Sequence, residues 1–216
     1  MSRKSALCAA LALLWSLPAT AASIIWSAPM RITTAEETLG LGRVQGAVHF
    51  SALADIEVNL ADKTVVRFQR ARAPLAELTE GGDRHAGLFA FKGSGNDAFD
   101  RVLSGGATEG GGDSSGTLTL RGLTPGKRYA VQLFAVDMRG RDGCGGDITD
   151  CRRRAVDFGD GQGHFSKRVL EGSPSYVLGT FTADTPSQAV IVRGWQLNAE
   201  GREAWTLNAV VVYERP

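Results

Sequence analysis

Hydrophobic alternation with a period of two runs through this chain and limits its fold more than any other feature. In Ile56-Glu57-Val58-Asn59-Leu60, in Thr117-Leu118-Thr119-Leu120 and in Tyr129 to Val136, apolar side chains recur at every second position. Successive residues of a strand point to opposite faces of a sheet, so this spacing predicts strands with a buried face. Ala61-Asp62-Lys63 can turn the first run into a return strand over Thr64 to Phe68, a hairpin. Further strands are expected at Gln45 to Phe50, Leu88 to Phe91, Tyr176 to Phe181, Ala189 to Val192 and Leu207 to Tyr213. One short helix is expected, Asn96 to Leu103, with Asn96 or Asp97 as its cap and Gly105 as its stop.

Glycine agrees with this reading. All 27 glycines fall after residue 21, about twice the usual share, and glycine disfavours helix interiors. The expected fold is all-β: a two-sheet antiparallel β-sandwich of the jelly-roll type with long glycine-rich loops. No repeat or linker divides it, so residues 22–216 are read as a single domain. Two segments do not look like strands. Ser104 to Gly116 carries six glycines, and Met138 to Phe165 is long and charged. Loops of that length often serve function. Leu123-Thr124-Pro125-Gly126-Lys127-Arg128-Tyr129 looks like the corner of many sandwiches, where a tyrosine hydroxyl bonds back to nearby backbone.

Residues 1–21 read as a signal peptide. Arg3 and Lys4 precede an apolar run from Ala6 to Trp15, too short for the roughly 20 residues that span a bilayer. Pro18 then ends any helix, and Ala19-Thr20-Ala21 offers small residues for cleavage between Ala21 and Ala22. Cys8 sits before the apolar run, not after it, so a lipid anchor is not expected. No later stretch suits a membrane span. The working protein is therefore expected to be secreted or periplasmic. In such a place Cys144 and Cys151, the pair left after residue 21, read as one disulfide. No histidine lies at metal-motif spacing from them. Loss of Arg3 and Lys4 leaves 22 basic against 23 acidic residues, which argues against nucleic acid as the partner.

Catalytic motifs fail on context. Gly112-Asp113-Ser114-Ser115-Gly116 fits G-x-S-x-G but leads into a strand, whereas a nucleophile elbow leads into a helix. Gly122 to Lys127 lacks the phosphate-loop spacing, and Arg128 stands where Ser or Thr should follow. Glu77, Glu80, Glu200 and Glu203 read as surface charges and not as a glycosidase pair. Asp157-Phe158-Gly159-Asp160-Gly161 could line a structural calcium loop but lacks the full spacing, and an ordinary turn is the reading taken. No other cofactor is expected. Arg139, Arg141, Arg152, Arg153 and Arg154 lie among Asp137, Asp142, Asp147 and Asp150, which reads as a self-paired loop. Trp195 and Trp205 flank an expected loop, and an exposed indole could stack on a sugar. A core position is the competing reading for each.

Tyr129-Ala130-Val131-Gln132-Leu133-Phe134-Ala135-Val136-Asp137, followed by Arg154-Ala155-Val156-Asp157-Phe158-Gly159-Asp160-Gly161, resembles the malectin-like group of galactose-binding-type jelly rolls. That group carries Y-x-V-x-L-x-F-A-E and then R-x-F-D-V-x-I-N-G. Asp137 replaces the glutamate here, Asp160 replaces the asparagine, and the intervening loop is longer. Gly179 to Asp184 and Leu207 to Val210 also resemble secreted bacterial sandwich modules of no assigned activity. The resemblance implies a carbohydrate site at the strand-to-loop exit, with Asp137 and Arg139 fixing hydroxyls and Tyr176, Trp195 or Trp205 as the stacking face. The expected function is a non-catalytic module that binds a glycan or another envelope polymer. The alternative is a structural or protein-interaction module of the cell envelope, and a hydrolase comes third.

Cleavage gives a direct test. The intact mass of exported protein should match a chain that starts at Ala22, and a mass that still includes Met1 to Ala21 would refute the signal peptide.

Overall fold

The computed structural model describes residues 22–71, 75–79, 82–109, 115–138, 154–196 and 202–216. Three sheets carry the fold. The largest has eight strands, in the order β1 (Ile25–Trp26), β13 (Ser175–Thr182), β10 (Arg128–Phe134), β17 (Ala209–Arg215), β3 (Val44–His49), β5 (Val65–Arg70) and β4 (Ile56–Asn59), with β2 (Met30–Arg31) also on β13. The second has six: β12 (Val169–Leu170), β11 (Arg154–Gly159), β14 (Ser187–Gln196), β9 (Ser115–Arg121) and β6 (Ala76–Thr79), with β15 (Arg202–Glu203) on β14. A small third sheet joins β16 (Trp205–Leu207), β8 (Gly106–Glu109) and β7 (Asp83–His85). The chain is an all-β sandwich. Pairing is antiparallel except between β3 and β5, which run parallel with Ala47 opposite Phe68.

The large sheet is buried on both faces at its middle strands β10 and β17, whereas β4 and β5 alternate buried with exposed residues. Val131 and Leu133 of β10 point toward the six-stranded sheet, into a core shared with Leu118, Phe158, Val192 and Trp205. Their neighbours Ala130 and Phe134 point the other way, into a second core with Phe68, Phe99 and Tyr213. Two short helices, α1 (Ala35–Leu39) and α2 (Asp97–Ser104), cover that second face. Phe99, Val102 and Leu103 of α2 recur at helical spacing and are fully buried. Burying each is worth roughly 1.5–3 kcal/mol. Asn96 caps α2, its side chain accepting from the amides of Ala98 and Phe99 at 3.1 Å each, and Gly105 closes it. Among the described residues no helix is long and apolar enough to cross a membrane.

Several expectations change. Leu88 to Phe91 is a turn, not a strand, with Ala90 at φ 52°. Phe89 and Phe91 are buried all the same, which explains the apolar signal. The segment 104–116, read as a loop, contains β8, and the segment 138–165 contains β11. The stretch 207–213 is two strands that belong to different sheets and meet at Asn208. Tyr129 forms the expected corner: its hydroxyl accepts from the Thr124 amide at 2.9 Å. Cys144, Cys151, Arg139, residues 110–114 and 197–201, and residues 1–21 lie outside the described residues.

Asn208 is the pivot between two sheets. It is fully buried, its Oδ1 accepts from the Val136 amide at 2.6 Å, and its Nδ2 donates to the carbonyls of Leu103, Gly105 and Val136 at 2.8, 2.9 and 3.1 Å. Removing it strands buried backbone groups, each of which costs about 1–3 kcal/mol when unpaired. Asn208→Ala should therefore lower stability by about 3 kcal/mol or more in urea unfolding, with an unchanged m-value. A loss below about 1 kcal/mol would show that other groups take over its bonds.

Candidate functional site

The strand-to-loop exits gather at one end of the sandwich. Arg154 opens β11 opposite Gln196, near the end of β14, while Phe134 ends β10 and Glu109 ends β8 opposite Trp205. Asp137 belongs to this end, but not as a group facing solvent. Its side chain is 3% exposed and is ion-paired to Nη2 of Arg154. Arg154 Nε also faces Glu171 at 3.2 Å. Backbone bonds tie the three together, from the Asp137 amide to the Glu171 carbonyl at 2.9 Å and from the Glu171 amide to the Arg154 carbonyl at 3.2 Å. Asp137 is thus a structural acid, and the expected contact to sugar hydroxyls gives way to this pairing.

Tyr176 and Trp205 are corrected in the same way. Tyr176 is 6% exposed, with its ring 5.7 Å from that of Phe134. Trp205 is fully buried, and its indole lies over Gly116 so closely that a Cβ there would stand 2.7 Å from Cζ2. That contact accounts for Gly116 without any nucleophile elbow. Neither ring can offer a stacking face.

Trp195 is different. Alternation along β14 puts Arg193 and Trp195 on the outer face of the six-stranded sheet, and Asp157 of β11 stands opposite Arg193. Asp157 accepts two bonds from Arg193, at 2.7 and 2.9 Å, and one from Trp195 Nε1 at 2.8 Å. The indole edge is therefore fixed, while the ring is only half-buried. The Arg168 guanidinium covers one ring face at 4.0 Å, and Arg193 lies 3.3 Å over the partly exposed ring of Phe165. Phe165 rests on Gly159, where a Cβ would stand 2.2 Å from its Cε1. Sequence reasoning named Trp195 and missed Arg168, Arg193 and Phe165. The two-residue spacing of Arg193 and Trp195 was the available signal.

The carboxylates of the suspected calcium loop are used otherwise. Asp157 is taken by Arg193 and Trp195. Asp160 accepts from the amides of Ile24, Gln162 and His164 and from His164 Nδ1 at 2.7 Å. Burial pushes the Asp160 carboxyl up, but these donors outweigh it and hold its pKa below the ordinary value. Ser23 Oγ also meets His164 Nδ1, at 3.2 Å. Both partners share one ring nitrogen, whereas a serine–histidine–aspartate relay needs one at each. The arrangement is a clasp on the turn.

No family model and no curated protein matches this sequence. Two solved structures with a partial likeness come from Clostridium perfringens ZmpB. One holds its M60 catalytic domain with the CBM51-1 and CBM51-2 domains, at 12% identity and a TM-score of 0.37, over 90% of this chain and 23% of that one. The other holds CBM51-2 in complex with GlcNAc and the INT domains, at 11% identity and a TM-score of 0.36, over 80% of this chain and 40% of that one. This chain thus spans less than half the length of either, and at such values the likeness supports no inference about its site.

The buried triad makes a pH prediction. Glu171 is 2% exposed, and two carboxylates share the one guanidinium of Arg154. Burial first, and the charge of Asp137 next, raise Glu171 to about 7 against the opposing pull of Arg154 and Thr206. The folded state then holds this proton more tightly than the unfolded chain does. Its contribution is complete below the ordinary value of 4.5 and is lost as pH rises through about 7. Glu171→Gln should melt higher than the wild type at pH 8, and the gap should close near pH 5. Identical pH profiles for the two proteins would contradict the raised carboxyl.

Proposed function

We propose that this chain is an exported, non-catalytic module that binds carbohydrate on the outer face of the six-stranded sheet, with Trp195 as its stacking platform. The observation that carries the reading is a half-exposed indole whose edge is locked by Asp157 and whose ring is met by the exposed Arg168 guanidinium at 4.0 Å, with that of Arg193 at 5.2 Å. A locked ring loses little conformational freedom when a ligand stacks on it. An exposed cation–π contact is worth about 0.5–1 kcal/mol, so a sugar ring can displace Arg168 at small cost. The released guanidinium then stands beside the sugar and donates to its hydroxyls. Aromatic surface with a few placed polar groups is the usual make-up of a small-ligand site. The malectin-like strand pattern points toward the same ligand class.

A glycan-array screen of the protein tests this. Binding should be weak, on the order of 10 µM to 1 mM, or about −7 to −4 kcal/mol. Trp195→Ala should reduce it at least tenfold with the fold intact, and Trp195→Phe should retain part of it. A blank array with a folded wild type would favour the envelope-scaffold reading.

A further inference from the structure

The opposite end of the large sheet carries a second feature, unconnected with Trp195. Register places Arg128 of β10 directly between Thr182 of β13 and Arg215 of β17. In the next row on the same face, Ile25 of β1 stands beside Thr180. These side chains and Ser23 line a groove of about 620 Å³ open to solvent. Directly opposed side chains in a sheet hold their Cβ atoms about 4.5–5.5 Å apart, and like charges so placed repel. Two facing arginines therefore need a reason.

Among the described residues no carboxylate pairs with Arg128 or Arg215. Arg215 Nη1 donates to the neutral Leu41 carbonyl at 3.0 Å, which fixes its direction. Glu214 is taken by Lys127 at 2.5 Å, with Arg43 in electrostatic reach of both. Asp184 lines the groove and is exposed. An arginine presents a planar fork of donors that matches an oxyanion, and a pair can hold one from two sides. The threonine hydroxyls beside them suit further oxygen atoms. Ile25 is 74% exposed at the groove wall and offers a carbon surface.

We infer that this groove binds a carboxylate or sulfate carried on a hydroxylated molecule, such as an acidic sugar. The oxyanion sits between Arg128 and Arg215, hydroxyls meet Thr180, Thr182 and Ser23, and the carbon face rests on Ile25. The site stands apart from the Trp195 platform and does not depend on it.

Isothermal titration of the purified chain tests this, with glucuronate, glucose and inorganic sulfate as probes at chloride-matched ionic strength. Glucuronate should bind saturably in the millimolar range or better, sulfate more weakly, and glucose not at all. Arg128→Met and Arg215→Met should each weaken glucuronate at least tenfold. Arg128→Lys, which keeps the charge and loses the fork, should weaken it about fivefold. Trp195→Ala should leave it unchanged, which separates this site from the glycan platform. The inference is overturned if glucuronate fails to bind or if the arginine variants bind like the wild type. Sulfate binding as tightly as glucuronate would reduce the groove to a site for a free anion and overturn the hydroxylated ligand. Loss of glucuronate binding in Trp195→Ala would place the ligand on the other sheet.

Discussion

The middle strands β10 and β17 of the eight-stranded sheet have no wet face along most of their length, and the other parts of the molecule are arranged to keep them so. An antiparallel sheet with one solvated side needs apolar residues only at alternate positions. Here β10 is buried from Tyr129 through Phe134, so both sets of alternate residues must find a partner layer. The six-stranded sheet supplies one layer, and α1, α2 and the buried loop around Phe91 supply the other. Three polar side chains trapped inside this three-layer stack, Gln132, Tyr213 and Asn208, are paired internally. Gln132 and Tyr213 bond each other at 2.8 Å on the helix side, and Asn208 closes the seam between sheets.

Much of the architecture was legible from spacing alone. Strands with clean alternation and a strong turn beside them, such as β4, β5, β9 and β13, lie within two residues of their expected bounds. The α2 helix was legible from Asn96 and Gly105. The misses share a physical cause. In strands of two to four residues, such as β1, β2, β7 and β12, pairing to a long neighbour supplies the order, and so short a span holds no period to read. Leu88 to Phe91 misled because two buried phenylalanines in an irregular turn imitate a strand. The parallel contact of β3 with β5 leaves no mark on composition, since it depends on β4 having crossed to the sheet edge.

The candidate site was less legible than the fold. Composition cannot say which tryptophan is core, and the structure divides Trp195 from Trp205 by what lies against each. Gly116 lets the second indole sink fully, while Asp157 holds the first by its edge at the surface. Asp137 stood at the expected strand end, but its partners Arg154 and Glu171 come from 17 and 34 positions along the chain. Only the packing of β11 against the segment after β12 reveals that its charge is already spent on Arg154, which Glu171 shares.

The place of β17 has a consequence for how the molecule can come into being. Residues 209–215 do not sit at an edge of the large sheet but between β10 and β3, joining its two halves. Until they are made, β3, β4 and β5 have no sheet to join, and the long-range pairings that define the fold are unavailable. Such a chain cannot complete its main sheet strand by strand as it emerges from the ribosome. Its β10 half and its β3–β5–β4 half must stay apart, unjoined, until residues 209–215 are available to sit between them.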